Sequence, residues 1–164
     1  NTQGLIFKIL EAFRNLPVRC SIDIIIGGFF TDKERLKTRL AQLNHKVRLW
    51  QNISPRIVAK LMTQADLGIL SYGRSLDEAR SLGLPCIVLS SSRLNHLGSV
   101  RAERQGGIVY LGDFRQTKDD ELGKEVVNLL LNSKKRSELS KQAFSLIDGQ
   151  GANRVAEFLA KLPS

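Results

Sequence analysis

Cysteine is nearly absent from this chain of 164 residues, which has Cys20 and Cys86 alone. Two cysteines do not make a disulfide framework, and they fit a reducing, cytoplasmic compartment. With two histidines beside them, they also leave no spacing that suggests a zinc site. Aromatic residues make up 6%, with one Trp and two Tyr, so platforms for stacking single-stranded bases are scarce. The strongest apolar stretch, within Ile22–Ile26, falls far short of the roughly 20 residues of a membrane span. No signal peptide opens the sequence, and neither G-x-G-x-x-G nor G-K-[ST] occurs, which removes the dinucleotide fingerprint and the P-loop. The G-x-S-x-G elbow of α/β-hydrolases is missing as well. No nucleophile is paired with a general base, so the residues alone read as a binding domain.

What is present is ordinary globular material with a basic balance. The chain is 42% hydrophobic and 25% charged, and its length suits one domain with a sizeable core. The formal net charge is +9, which favours phosphates, nucleic acid or an acidic membrane surface as partners, or serves as solvated helix surface. The start at Asn1-Thr2-Gln3, without Met, reads as an interior point of a longer protein.

Helix and strand patterns alternate along the chain. A helical stripe of Leu5, Ile6, Ile9, Leu10 and Phe13 spans residues 2–15. Residues 20–26 read as a strand buried on both faces, stopped by Gly27-Gly28. Thr31-Asp32-Lys33-Glu34 fits a capping box opening a helix to about Leu43. Strands follow at 47–50, 66–70, 86–89 and 108–111, with helices at 54–64, 75–82 and 94–105 between them. Gly83 fits a C-terminal cap ahead of Pro85. Helices at 118–131, 134–146 and 151–161 close the chain. This order predicts an α/β fold, a Rossmann-like parallel sheet with helices on both faces. A strand ahead of the first helix is expected to be missing.

Open parallel sheets bind ligands at the carboxyl ends of their strands. Ser71-Tyr72-Gly73-Arg74-Ser75-Leu76-Asp77-Glu78 leaves one strand and enters a helix. Gly73 permits close backbone approach, the first helical turn offers amides to an anion, and Glu78 could accept ribose hydroxyls. The same residues also fit a capping box from Ser75 to Glu78, and both readings stand. In the next loop, Asn95-His96 reads either as binders of sugar or phosphate oxygens, or as an N-cap and an exposed first-turn residue. His45 reads as surface, and Trp50-Gln51-Asn52 as packing or as a flank for a base.

The run from Ala65 through Glu78 to Leu82-Gly83-Leu84-Pro85 resembles the nucleotide-sugar half of GT-B glycosyltransferases. It is similar to the spore-coat polysaccharide glycosyltransferases and the nucleotide-sugar hydrolase of pseudaminic acid synthesis, and more distantly to the lipid II-forming N-acetylglucosaminyltransferase. Asn95-His96, Gly106-Gly107 and the tail from Asp148 to Val155 extend the likeness over nearly the whole chain.

The resemblance implies a C-terminal donor domain over residues 1–164, whose N-terminal partner domain and first strand lie outside it. It implies that Gly73 and Ser75 present backbone and hydroxyl to the diphosphate of a UDP-sugar substrate. By the same likeness Ser71 lies in that nucleotide-sugar site, and Arg74 either adds a phosphate contact or narrows the groove. Glu78 would then hold the ribose, Asn95 and His96 would face sugar or phosphates, and Trp50 and Gln51 would meet the base. No cofactor, no metal and no catalytic residue is expected in this chain; the acid-base chemistry of such enzymes belongs to the other domain. Peripheral contact with the inner face of the membrane is a further expectation. A donor domain of a nucleotide-sugar hydrolase is the alternative within enzymes, and a basic module for nucleic acid or an anionic membrane surface the alternative outside them.

Overall fold

The computed structural model describes residues 3–162. The first helix, α1, spans Gln3–Arg14; its expected first residue, Thr2, lies outside the described residues. There follow β1 (Ser21–Ile26), α2 (Lys33–Ala41), β2 (Lys46–Gln51), α3 (Pro55–Gln64), β3 (Gly68–Leu70) and α4 (Arg74–Ser81). The chain continues through β4 (Cys86–Ser90), α5 (Arg93–Gln105), β5 (Ile108–Asp113), α6 (Asp119–Leu131), α7 (Ser133–Leu146) and α8 (Gly151–Leu159). Every expected element is present in its expected order.

All the pairings are parallel, as short βαβ connections require. β4 is the centre of the core because its two faces alternate between two helical layers. Ile87 and Leu89 pack with Leu5, Ala12 and Phe13 of α1 and with Leu122, Val126 and Leu129 of α6. Cys86 and Val88 point the other way, to Leu76 and Ala79 of α4 and Ala102 of α5. Burial raises the thiol of Cys86 to about 12, and both cysteines are free.

The strands form two sheets, β1–β2 and β3–β4–β5, where one sheet was expected. β1 and β3 do not pair; α1 lies across both, joining Ile22 and Ile69 to one cluster. Nor is β1 buried on both faces. Leu10 and Leu36 of α1 and α2 cover Ile26 on one side, while α3 sends Met62 and Val58 to the α4 layer instead. The open face of β1 therefore carries Asp23, bound by Arg48 Nε at 2.7 Å and by the indole N–H of Trp50 at 2.7 Å. Burial works against the charge on Asp23, but these bonds outweigh it and hold the carboxyl below its ordinary range.

Local signals decide the ends of the elements. Gly83 adopts φ +68° and completes a Schellman cap, its N–H donating to Arg80 O and that of Leu84 to Ala79 O. α2 begins at Lys33 with Asp32 as N-cap, and the Asp32 side chain makes no cap bond. His45 is half-buried, not surface. Its Nδ1 accepts from Cys20 N–H at 3.2 Å, and its Nε2 meets Phe13 O at 2.8 Å. The tail sequence closes the α7–α8 turn, where Arg154 holds Asp148 at 2.6 Å.

Candidate functional site

The carboxyl ends of β3 and β4 carry the Ser71–Glu78 and Asn95-His96 loops that the sequence singled out. β3 ends at Leu70, and three residues later Gly73 serves as N-cap of α4 with φ +157° and ψ −172°. That conformation belongs to glycine, and a side chain there would meet open space rather than neighbouring atoms. The constraint on Gly73 is thus conformational. Leu76 N–H and Asp77 N–H close back on Gly73 O, which leaves the amides of Arg74 and Ser75 at the positive end of the helix.

The capping box from Ser75 to Glu78 does not form. α4 starts at Arg74, which puts Ser75 inside the helix at its second position, with no side-chain cap bond. Glu78 falls in the second turn, exposed, and its carboxylate makes no hydrogen bond or ion pair among the described residues. Ser71 Oγ is buried without a hydrogen-bond partner. The fold itself uses none of these three groups.

Asn95 is not a helix cap; Ser92 is, its Oγ accepting from Asn95 N–H at 3.2 Å. α5 consequently starts at Arg93, one residue before the expected Leu94. The Asn95 side chain is a strap between loops. Its Oδ1 accepts from Ser91 and Ser92, and its Nδ2 donates to Tyr72 O at 3.1 Å. The ring of Tyr72 lies over Gly98 of the same helix, so the β3–α4 loop and the start of α5 are tied together twice. His96, next to the strap, is exposed and holds Tyr110 Oη at 2.7 Å through Nδ1.

Tyr110, Ser90, Asp113 and Arg115 join this end of the sheet and were not singled out from sequence. Arg115 Nε donates to Asp113 at 2.8 Å, and its other end reaches Ser91 O at 3.5 Å. Hydrogen bonds from the Arg115 side chain and backbone hold the Asp113 carboxyl down at about 2. A carboxylate at a strand end two residues before an arginine was the available signal.

Trp50 and Gln51 stand apart, at the end of β2 in the other sheet. The indole N–H of Trp50 is committed to Asp23. Gly28 lies against Asn52, 3.1 Å from its Oδ1 as measured from a glycine Cβ position, so the loops after β1 and β2 meet each other. No hydrogen bond joins them to the Ser71–Glu78 loop among the described residues.

No set of His, Cys, Asp and Glu side chains that could hold a metal occurs among the described residues, and no described helix is long and apolar enough to cross a membrane.

No protein-family model matches the chain. It is 29% identical over 160 residues to the spore coat polysaccharide biosynthesis protein SpsG of Bacillus subtilis, covering 96% of this chain and 46% of SpsG. Among solved structures, Acinetobacter baumannii MurG superposes with a TM-score of 0.79 at 15% identity, over 99% of this chain and 47% of MurG. The UDP-GlcNAc 2-epimerase of Neisseria meningitidis, solved bound to UDP-GlcNAc, gives a TM-score of 0.68 at 18% identity, over 98% of this chain and 41% of the epimerase. The chain spans less than half the length of the curated relatives it matches. It has the fold of one Rossmann-like half of a GT-B protein, consistent with the C-terminal half, and is similar over nearly its whole length to a protein of spore coat polysaccharide biosynthesis.

Proposed function

We propose that this chain is the donor domain of a glycosyltransferase acting in surface polysaccharide or glycan biosynthesis, and that it binds a UDP-sugar. The observation that carries the reading is the start of α4. There a glycine-only N-cap leaves two helix-terminal amides exposed, beside a buried Ser71 hydroxyl, Ser75 and Glu78, none of which the fold employs. A diphosphate fits the amides of Arg74 and Ser75, where the helix dipole favours negative charge. Glu78, one turn further, is placed for neutral hydroxyls of ribose rather than for phosphate, since a carboxylate accepts hydrogen bonds and repels anions. The guanidinium of Arg74 adds a cation at the same helix end, with no acidic partner among the described residues.

Other parts of the reading rest on the relatives. The Neisseria epimerase of the same fold was solved with UDP-GlcNAc, which supports a uridine nucleotide as ligand. Spans of 46% and 47% of SpsG and MurG support a second domain in the whole protein, across which the acceptor and the acid-base groups would lie. Binding requires no cofactor and no metal in this scheme.

The test is calorimetry of UDP-N-acetylglucosamine against the wild-type chain, Glu78→Ala and Glu78→Gln. Both variants should weaken binding about tenfold while unfolding at the same denaturant concentration, because the fold does not use the Glu78 carboxylate. Unchanged affinity in both would remove Glu78 from the site.

A further inference from the structure

The two sheets turn the same face to the same helices. Ile22 of β1, Ile69 of β3, Leu89 of β4 and Leu111 of β5 all pack toward α1 and α6. α2 lies on that face too, where Leu36 meets Leu10 and Ile26. On the opposite face, Val58 and Met62 of α3 join Leu76 and Ala79 of α4 over Leu70 and Val88.

These positions fix the direction of winding. Crossovers between parallel strands are right-handed, so helices on opposite faces carry the chain in opposite directions across a sheet. α2 takes it from β1 to β2 on one face, whereas α4 and α5 take it from β3 through β4 to β5 on the other. The layer therefore runs β2–β1, a break, then β3–β4–β5, with β1 and β3 turned toward each other. α1 leads into β1 from the face of α2, so its crossover advances in the same direction. A strand ahead of α1 belongs on the β3 side of β1, which is the break itself.

Backbone groups point into this break. Lys46 N–H donates to Cys20 O at 3.1 Å, so Cys20 bonds toward β2. Strand residues alternate in direction, which sends the N–H and C=O of Asp23 and Ile25 the other way. Gly68 N–H donates to Pro85 O at 2.9 Å, so Ile69 next to it points away from β4. No strand pairs with these two edges among the described residues.

We propose that the break between β1 and β3 is a slot for one extended strand, and that its occupant is the segment of the same polypeptide leading into α1. That strand pairs in parallel with β1 and β3 and joins both sheets into one. Spacings of about 4.8 Å on either side admit a single chain. A second folded copy would bring its edge strand with helices on both faces, and α1 already lies across this one. The occupant is apolar on both faces, because helices cover the layer above and below. SpsG and MurG are more than twice as long as the parts this chain matches, which leaves ample chain to supply it. Winding reverses at the slot, and ligands of open parallel sheets sit where it reverses. The carboxyl end of the added strand then stands between the Gly27-Gly28 loop and the Ser71–Glu78 loop. The slot exists whatever ligand the start of α4 receives.

Hydrogen exchange read by NMR tests the slot on two proteins. One is the chain as it stands; the other carries Val-Ile-Val-Ile-Val and a Gly-Gly-Ser joint ahead of Asn1. In the first, the amides of Asp23, Ile25 and Ile69 should exchange at least about tenfold faster than those of Ile24 and Leu70, which face β2 and β4. The extension should slow the same three amides by about tenfold or more, and Pro at its central position should abolish the effect. Cross-strand contacts between β1 and β3 in the unextended chain, with those amides protected, would mean direct pairing and overturn the slot. Unchanged exchange on extension, in a chain whose other amides stay protected, overturns it as well. Protection that rises with protein concentration gives the slot to a second copy and overturns the choice of occupant.

Discussion

Gly98 lies directly beneath the ring of Tyr72: a Cβ added at position 98 would stand 2.3 Å from Tyr72 Cε1. Real Cβ atoms do not come so near, so the ring seats only on a glycine. The contact joins α5 to the loop ahead of α4, and the Asn95 strap to Tyr72 O joins the same two segments.

The first prediction follows from two opposed effects at Gly98. Alanine in a helix interior is favoured over glycine by about 1 kcal/mol. Here it must also unseat Tyr72, which is 37% exposed and free to swing outward. Gly98→Ala should therefore leave stability nearly unchanged in the wild-type background and raise it by about 1 kcal/mol in Tyr72→Ala. Denaturant unfolding of the four proteins measures the difference. An identical effect in both backgrounds would mean that the ring and the glycine are not coupled.

His45 supplies a second. Its two ring nitrogens serve a backbone donor and a backbone acceptor, Cys20 N–H and Phe13 O, and its ring meets Phe13 edge-on at 6.0 Å between centroids. Since Cys20 N–H can only donate and Phe13 O can only accept, the imidazole is the Nε2–H tautomer. His45→Ala strands both backbone groups in a half-buried place and should destabilise the chain by about 1–3 kcal/mol. Chemical unfolding reads this directly, and an unchanged midpoint would make His45 the surface residue that its sequence suggested.

A pH dependence follows from Asp113. Its carboxyl is lowered to about 2 by the hydrogen bonds of Arg115. A carboxyl depressed in the folded state contributes stability above its unfolded value, near 4, and loses it as pH falls toward 2. Order in the loop following β5 should thus persist at pH 5 and fade between about pH 4 and 2. Carboxyl 13C titration of the wild type and Arg115→Gln checks it. The wild-type midpoint should lie well below that of the variant, and coincident midpoints would contradict the pairing.

The elements and their order were legible in the sequence because each ends on local chemistry. Gly83 caps α4 through its positive φ, and the β-branched runs mark the strands. What sequence could not convey depends on distant partners. The exposed face of β1 arises because α3 packs toward α4, not over Asp23 and Ile25. The placement of Gly73, Glu78 and His96 beyond the carboxyl ends of β3 and β4 was legible in the sequence. Asn95 was read as a ligand or cap, yet its amide is occupied by Tyr72 O, twenty-three residues away. Ser90 and Tyr110 were illegible because their pairing depends on a register shift between two strands. The same gap hid the split between β1 and β3.

The central claim, that the start of α4 receives a uridine diphosphate sugar, is tested most directly by an amide NMR titration. UDP, CMP and UDP-N-acetylglucosamine would each be added to the chain, up to millimolar concentration. The account predicts shifts concentrated at Gly73–Glu78 and at Asn95 and His96, with the uridine ligands ahead of CMP. Undisturbed amides in those loops under saturating nucleotide, or shifts confined to the basic helix surfaces, would contradict it.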